Sequence, residues 1–114
     1  MADKGPSRPT SLNRNWQFAR AYKSKKRFSC AYFTTYVARG RFGVRLGVSA
    51  SKKLGCAVKR NRARRIVKAA ACELLKNAGG SFDIVFVCRA ACLEKKSTEL
   101  IPHMKRHLEG AGVL

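Results

Sequence analysis

Acidic residues are scarce in this chain of 114 residues, which has six Asp and Glu against 25 Lys and Arg and a net charge of +19. Metal-dependent hydrolysis of a phosphodiester needs clustered carboxylates to hold divalent cations, and the six acids here are scattered along the sequence. The scarcity argues against a self-sufficient metal-dependent nuclease. We therefore predict no catalytic residue and no metal site in the protein itself.

Long apolar runs are also missing. No stretch reaches the 18 or more apolar residues of a membrane-spanning helix, and the first thirty residues contain no apolar signal-peptide core. The arginine-rich start could imitate a transit peptide, but Trp16, Phe18 and Tyr22 are better explained as part of a fold. Five cysteines, an odd number, do not suggest a disulfide framework and are most simply buried thiols in a reducing compartment. We expect a cytoplasmic protein with no membrane partner.

Histidine is limited to His103 and His107, and no nucleophile signature accompanies them, so a catalytic triad is not favoured. Cys88-x3-Cys92 followed by His103-x3-His107 approaches a two-Cys, two-His zinc pattern. The connecting segment is shorter than a zinc finger requires. We interpret the histidines as surface residues and leave open whether the four side chains ever bind metal.

Positive charge is concentrated in the first part of the chain. Residues 1–68 hold 19 of the 25 basic residues and one acid, Asp3, whereas residues 69–114 have a net charge of only +1. The densest stretch, residues 52–68, contains eight basic residues and no acid. This distribution predicts a polyanionic partner. A polybasic membrane-surface binder would need a larger aromatic or leucine face than residues 56–78 provide, so nucleic acid is favoured.

The length predicts one domain, which we divide into a flexible basic tail at 1–11 and a single RNA-binding α/β domain at 12–114. A short helix is expected from about Asn13. Strands are expected at 31–38, 42–50 and 82–88. A long helix is expected at 56–77, and a last helix is expected to begin at a cap formed by Ser97 or Thr98. The continuously apolar 82–88 is typical of a central strand covered on both faces.

The predicted elements carry distinct faces. In 42–50, every second residue is apolar and is expected to face the core, and Arg45 lies on the other, small-residue face. That face is either simply solvated or leaves room for a ligand. In the long helix, Asn61, Arg64, Arg65 and Lys68 lie opposite the apolar stripe. Aromatic side chains together with a basic groove suggest single-stranded RNA, although each aromatic taken alone is more often part of a core than a stacking platform.

Residues 47–70, GVSASKKLGCAVKRNRARRIVKAA, closely resemble the signature of the bacterial ribonuclease P protein family. Its parts are Ser51-Lys52-Lys53-x-Gly55, Ala57-Val58, Arg60-Asn61-Arg62, Arg65 and a basic residue at Lys68. A weaker resemblance extends from about Leu12 to about Leu108 and includes the aromatic positions Phe18, Tyr22 and Tyr36.

The resemblance implies an α/β fold of the α+β sandwich type, ribosomal protein S5 domain 2-like. Such a fold has a central, roughly four-stranded sheet, about three helices and a left-handed βαβ crossover. It also implies a protein that is not itself the catalyst. In that family the ribonuclease P RNA subunit uses Mg²⁺ to cleave precursor tRNA at the mature 5′ end. The protein holds the 5′ leader in a cleft between sheet and signature helix, and no obligate protein partner is expected.

Carried over by position, the resemblance predicts two groups of site residues. Those expected to contact RNA are Lys52, Lys53, Arg60, Asn61, Arg62, Arg64, Arg65 and Lys68. Those expected at the leader cleft are Phe18, Tyr22 and Tyr36, to which the sheet-face pattern adds Arg45. Lys68 stands where the family usually has Arg, and Lys lacks the bidentate fork of Arg. The alternative is a ribosomal or other structured-RNA-binding protein with no role in tRNA processing.

Overall fold

Three α-helices and a mixed sheet make up the part of the chain that the computed structural model describes, residues 10–11, 15–23, 26–40, 43–76 and 80–113. The strands are β1 (Thr10–Ser11), β2 (Lys26–Ser29), β3 (Phe33–Arg39), β4 (Val44–Ala50) and β5 (Phe82–Cys88). The helices are α1 (Asn15–Tyr22), α2 (Ala57–Leu75) and α3 (Ser97–Gly110). Short 3₁₀ turns at Lys52–Leu54 and Ala90–Glu94 precede α2 and α3.

The sheet has the order β1-β4-β5-β3-β2. The two-residue β1 and the long β5 both pair with β4 in parallel, and β3 is antiparallel to β5 and to β2. Because α2 connects the adjacent parallel strands β4 and β5, these elements form a βαβ unit. The predicted α+β fold, with four main strands and three helices, is confirmed; the left hand of the crossover stays a prediction.

β5 is the central strand, as its apolar run predicts, and Ile84, Val85 and Phe86 are fully buried. α2 and α3 pack on one sheet face, where the main core lies. α1 packs on the opposite face, and its Ala21 is buried with Val85. The hydrophobic burial on both faces explains why this strand shows no alternation of polar and apolar residues.

The apolar stripes predicted for α2 and α3 face the core. Leu100, Met104 and Leu108 of α3 are fully buried. The predicted cap of α3 at Ser97 or Thr98 is wrong, because the residue before the helix is Lys96. Its backbone N–H donates to the Glu99 carboxylate at 2.9 Å, and this bond sets the start of the helix one residue earlier.

The short strand β1 lies in a segment that the sequence predicts to be a flexible tail. Thr10 and Ser11, assigned to the flexible tail, pair with Arg45 and Leu46 of β4, so the prediction is wrong at these two positions. Parallel pairing satisfies backbone groups at this sheet edge without any demand on side-chain type. Residues 1–9 and 12–14 lie outside the described part. Within that part, no helix combines the length and apolar character needed to cross a membrane.

Candidate nucleic-acid interface

The long helix α2 separates an apolar face from a cationic one. Its buried residues Ala63, Val67 and Ala70 face the sheet, and Ile66 and Leu74 at the sides of the stripe are half-buried. Of the six predicted RNA-contacting residues on α2, four are exposed and two are half-buried. The exposed ones are Asn61, Arg62, Arg65 and Lys68, and the half-buried ones are Arg60 and Arg64.

A tight turn places the lysine pair at the start of α2. Leu54 is buried and anchors the turn, while Lys52 and Lys53 are exposed. Gly55 has φ +126°, a conformation that L side chains rarely adopt, and a Cβ there would lie 3.0 Å from Cδ of Lys59. The glycine in the signature therefore lets the chain turn sharply from the lysine pair into the cationic helix.

A cleft lies between α1 and α2 and runs along β4; we call it the α1–α2 cleft. One part has a volume of about 350 Å³ and is lined by Phe18, Leu46, Gly47, Val48, Arg64, Arg65 and Lys68. An adjoining hollow of about 410 Å³ is lined by Phe18, Ala19, Tyr22, Val48, Ser49, Ala50 and Arg64. The structure thus places two of the predicted aromatic residues opposite three of the predicted cations.

The floor of the α1–α2 cleft follows from the alternation in β4. Val44, Leu46, Val48 and Ala50 pack against the core, as predicted. Gly47 and Ser49 lie on the other face, where their small size leaves the space between α1 and α2 open. A ligand in the cleft would have aromatic rings on one side and guanidinium groups on the other. Such a combination suits an unpaired nucleotide, whose base stacks and whose phosphate is anionic.

The predicted aromatic residues form a chain of contacts. The ring centroids of Phe18 and Tyr22 are 6.5 Å apart, and those of Tyr22 and Tyr36 are 5.0 Å apart in an edge-to-face arrangement. Tyr36 lies beyond Tyr22 on β3 and does not line either hollow of the cleft. On its far side, the guanidinium carbon of Arg27 lies 5.8 Å from the Tyr36 ring centroid. No pattern in the sequence points to Arg27 as a site residue.

Arg45 has a different environment from the open sheet face expected for it. Its Nε and Nη2 donate to the two carboxylate oxygens of Asp83 at 2.8 and 2.9 Å, and Asp83 is buried. The hydrogen bond with Asp83 raises the pKa of the Arg45 guanidinium. Gly40 leaves room for this pair, since a Cβ there would lie 2.7 Å from Oδ1 of Asp83. The pair joins β4 to β5, a structural role that the alternation pattern did not reveal.

The histidines differ from the surface residues expected from sequence. His107 is buried, and its Nδ1 lies 2.8 Å from Oγ1 of Thr35. Burial is the main cause that lowers its pKa, with repulsion from His103 second. The prediction of an exposed His107 is wrong because the helical spacing places it among Phe28 and Phe33. His103 is half-buried against Tyr32.

The cysteines range from buried to exposed, and Cys30 and Cys72 are half-buried. Cys88 and Cys92 are buried, and the hydrogen bond between their thiols, followed by burial, raises the pKa of Cys88. Cys56 is exposed before α2, so the prediction of buried thiols is wrong there; backbone N–H groups of Lys59 and Val58 lower its pKa. In the described ranges, no cluster of three or more His, Cys, Asp or Glu side chains could hold a metal ion.

Together, the cationic helix, the α1–α2 cleft and the sheet behind them define an RNA-binding protein of the α+β class. A family model described as Ribonuclease P matches residues 7–112. The chain therefore belongs to the ribonuclease P protein family, whose members are the protein components of a tRNA-processing endoribonuclease.

Individual relatives agree with this assignment. The chain is 36% identical over 106 residues to the ribonuclease P protein component of Clostridium kluyveri, covering 90% of this chain and 94% of the relative. It is 42% identical over 84 residues to that of Chloroflexus aggregans, covering 73% and 62%.

Solved structures show the same fold. A mutant of the Staphylococcus aureus RNase P protein superimposes with a TM-score of 0.76 at 26% identity, covering 91% of this chain and 89% of that one. The RNase P protein of Thermotoga maritima has a TM-score of 0.70 at 22% identity, covering 84% and 92%, a likeness of fold alone.

Proposed function

We propose that this chain binds a ribonuclease P RNA through the cationic face of α2 and holds the 5′ leader of precursor tRNA in the α1–α2 cleft. The observation that carries the proposal is the position of Phe18 opposite Arg64, Arg65 and Lys68 across the cleft. Stacking on an aromatic ring favours unpaired bases, and a leader is the unpaired part of a precursor tRNA. The exposed Lys52 and Lys53 would extend the RNA contact beyond the start of α2.

The carboxylates support a division of labour in which the RNA subunit supplies Mg²⁺ and the chemistry. Asp83 is bound to Arg45, Glu73 to Lys76 at 2.9 Å, and Glu99 lies 3.9 Å from Lys95. These three carboxylates are paired with cations on separate elements, and no cluster of three or more potential ligands occurs among the described residues, so this part of the chain does not fit an Mg²⁺ site with several oxygen ligands. The protein would position RNA, in the cytoplasm and without an obligate protein partner.

Reconstitution tests this function. We expect the purified chain alone to leave precursor tRNA intact, and addition of a bacterial ribonuclease P RNA with Mg²⁺ to give cleavage at the mature 5′ end. In the assembled complex, the chain should increase the affinity for leader-bearing precursor over mature tRNA. Site-specific cleavage by the protein alone would contradict the division of labour.

The alternative, a structured-RNA binder with no role in tRNA processing, predicts a different result. Such a protein would bind RNA with a similar dependence on salt, because phosphate contacts dominate both cases. It would not distinguish precursor from mature tRNA when assembled with the ribonuclease P RNA. Equal affinities for the two tRNAs would therefore favour the alternative.

A further inference from the structure

A separate hollow lies on the side of α2 that points away from the α1–α2 cleft. It has a volume of about 500 Å³ and is formed between α2 and the 3₁₀ turn Ala90–Glu94. We call it the Glu94 hollow, and its lining residues are Lys59, Arg62, Ala90, Ala91, Leu93 and Glu94. Arg62 and the cleft residue Arg64 are two positions apart, which places them about 160° apart around the helix axis. A ligand in the cleft therefore leaves the Glu94 hollow free.

The 3₁₀ turn that forms one wall of the Glu94 hollow is anchored in the core. Cys92 is fully buried, and its backbone N–H and carbonyl form hydrogen bonds of 3.0 and 3.2 Å within the turn. Ala91 and Leu93, on either side of Cys92 in the sequence, are half-buried, and Ala90 is exposed. Two alanines and a leucine thus give this wall a fixed apolar surface against which a flat ring can pack.

The charged side chains of the Glu94 hollow have both signs. Lys59 and Arg62 are exposed on α2, and Glu94 is exposed on the turn. Within the described ranges, Glu94 forms no salt bridge, whereas three other carboxylates are paired with cations. A carboxylate beside the acid-free, cationic start of α2 repels RNA phosphates unless it accepts hydrogen bonds from the bound RNA. The arrangement therefore favours a ligand that is anionic at one end and a hydrogen-bond donor at the other.

An unpaired nucleotide has these properties. Its phosphate accepts hydrogen bonds from lysine and arginine, its base is flat, and N–H groups on the Watson–Crick edge of the base can donate to a carboxylate. Guanine is the best match, because its N1–H and N2–H groups point the same way and can donate to both oxygens of one carboxylate. Uracil is the poorest match, because its single N–H lies between two carbonyl oxygens that repel a carboxylate.

We propose that the Glu94 hollow binds an unpaired guanine of the RNA subunit, with Glu94 accepting from its Watson–Crick edge and Lys59 and Arg62 binding its phosphate. This inference rests on the proposed function, which places the leader in the cleft on the other side of α2. Val58 supports an RNA contact on this side. It is 75% exposed and lies four residues before Arg62, so the two side chains are neighbours on the helix surface and the valine offers an apolar contact to bases.

The sign of the effect of Glu94→Gln tests the proposal. If Glu94 is only an acid on a cationic surface, loss of its charge should strengthen binding of the RNA subunit, because repulsion of phosphates is removed. If Glu94 accepts two hydrogen bonds from guanine, Glu94→Gln should weaken binding roughly five- to tenfold. Filter binding of ribonuclease P RNA to the full chain, without tRNA and at one salt concentration, measures the change.

Two further variants complete this comparison. Glu109→Gln is the matched control, because Glu109 is exposed near the end of α3 and does not line the Glu94 hollow. It removes the same charge and should not weaken binding. Ala90→Leu fills the hollow at an exposed position without changing the charge, so it should weaken binding as Glu94→Gln does. Melting curves first establish that each variant is folded.

Chemical probing of the RNA subunit identifies the base. Kethoxal reacts with N1 and N2 of unpaired guanines, the two atoms that Glu94 would bind. In the complex with the wild-type chain and without tRNA, we expect a guanine of the RNA subunit to be protected. The same guanine should react again in the Glu94→Gln complex and stay protected in the Glu109→Gln complex.

The outcomes separate the inference from the proposed function. Glu94→Gln binding that equals or exceeds wild-type binding overturns the inference, and so does a kethoxal pattern that Glu94→Gln leaves unchanged. Protection that appears only when precursor tRNA is added also overturns it, because the base would then belong to the substrate. In these cases the wild-type chain still binds the RNA subunit and the proposed function stands. If the wild-type chain does not bind ribonuclease P RNA, the proposed function fails and the inference fails with it.

Discussion

Arg45 and Asp83 form a two-point salt bridge that joins the parallel strands β4 and β5 on the sheet face below α1. The side chain of Asp83 is 1% exposed and that of Arg45 is 12% exposed. A buried charge without a partner is costly, and the Arg45 guanidinium provides a hydrogen-bond donor for each carboxylate oxygen of Asp83. This pair therefore contributes to the sheet that supports the cleft.

Replacement of Arg45 tests that role. We expect Arg45→Ala to lower the free energy of unfolding by about 3 to 5 kcal/mol, because it leaves a buried carboxylate without a partner. The matched control is Lys76→Ala, which breaks the exposed pair with Glu73 and should cost at most about 1 kcal/mol. Urea unfolding followed by circular dichroism measures both. Similar losses in the two variants would contradict a structural role for Arg45.

The buried His107 predicts a dependence of stability on pH. Its pKa in the folded chain is lowered from the ordinary value of 6.5. The unfolded chain therefore binds the proton more readily, so stability is full above about pH 6.5 and declines as the pH falls through that value toward the folded pKa. Melting temperatures between neutral pH and about pH 5 should show the decline.

A variant without the titrating group provides the comparison for that decline. His107→Gln keeps a polar side chain toward Thr35 but does not titrate, so its stability should change less over the same pH range. His103→Gln, at the half-buried histidine on the same helix, should keep most of the decline. If His107→Gln and the wild-type chain lose stability in parallel, another group is responsible.

The exposed arginines of α2 should act in assembly with the RNA subunit. Arg62→Ala with Arg65→Ala should weaken binding of the chain to ribonuclease P RNA. The slope of log affinity against log salt should fall by about 0.9, the coefficient for duplex DNA, for each duplex phosphate that is no longer neutralised. Filter binding over a salt series measures both quantities. A double variant with the wild-type slope would show that these arginines do not contact phosphate.

The aromatic residues of the α1–α2 cleft should act on the leader instead. Phe18→Ala and Tyr22→Ala should each reduce the preference for precursor over mature tRNA by about 1 to 3 kcal/mol, because each removes a ring on which one base stacks. Assembly with the RNA subunit should be unchanged. Tyr32→Ala is the matched control, since Tyr32 packs against His103 rather than lining the cleft. Melting curves first establish that each variant is folded. Wild-type preference in both folded cleft variants would contradict the assignment.

Tyr36→Ala tests whether Tyr36 stacks on a leader base or only supports the neighbouring aromatic side chains. Tyr36 is half-buried between Tyr22 and Arg27. If Tyr36 stacks on a leader base, the folded variant should lose precursor preference with assembly intact. Tyr36→Phe keeps the ring and should retain the preference. Loss in both variants would indicate that the hydroxyl group, rather than the ring, is responsible.

Much of the fold was accessible from the amino-acid sequence because its signals are local. Alternation in β4, the apolar run of β5 and the helical stripe of α2 each depend on residues within one element. The same holds for the separation of Asn61, Arg65 and Lys68 from the buried face of α2, which the structure confirms. The signature between residues 47 and 70 then linked these elements to a family.

Contacts between distant elements were decided only by the tertiary structure. The partners Arg45 and Asp83 are 38 residues apart, and Thr35 and His107 are 72 apart, so no local pattern joins them. Arg27 meets Tyr36 because of the register between β2 and β3. By itself, the sequence determined where charge and apolar surface occur along each element. Strand register and helix docking determined which charges are paired and which face an open surface, because these depend on packing over the whole sheet.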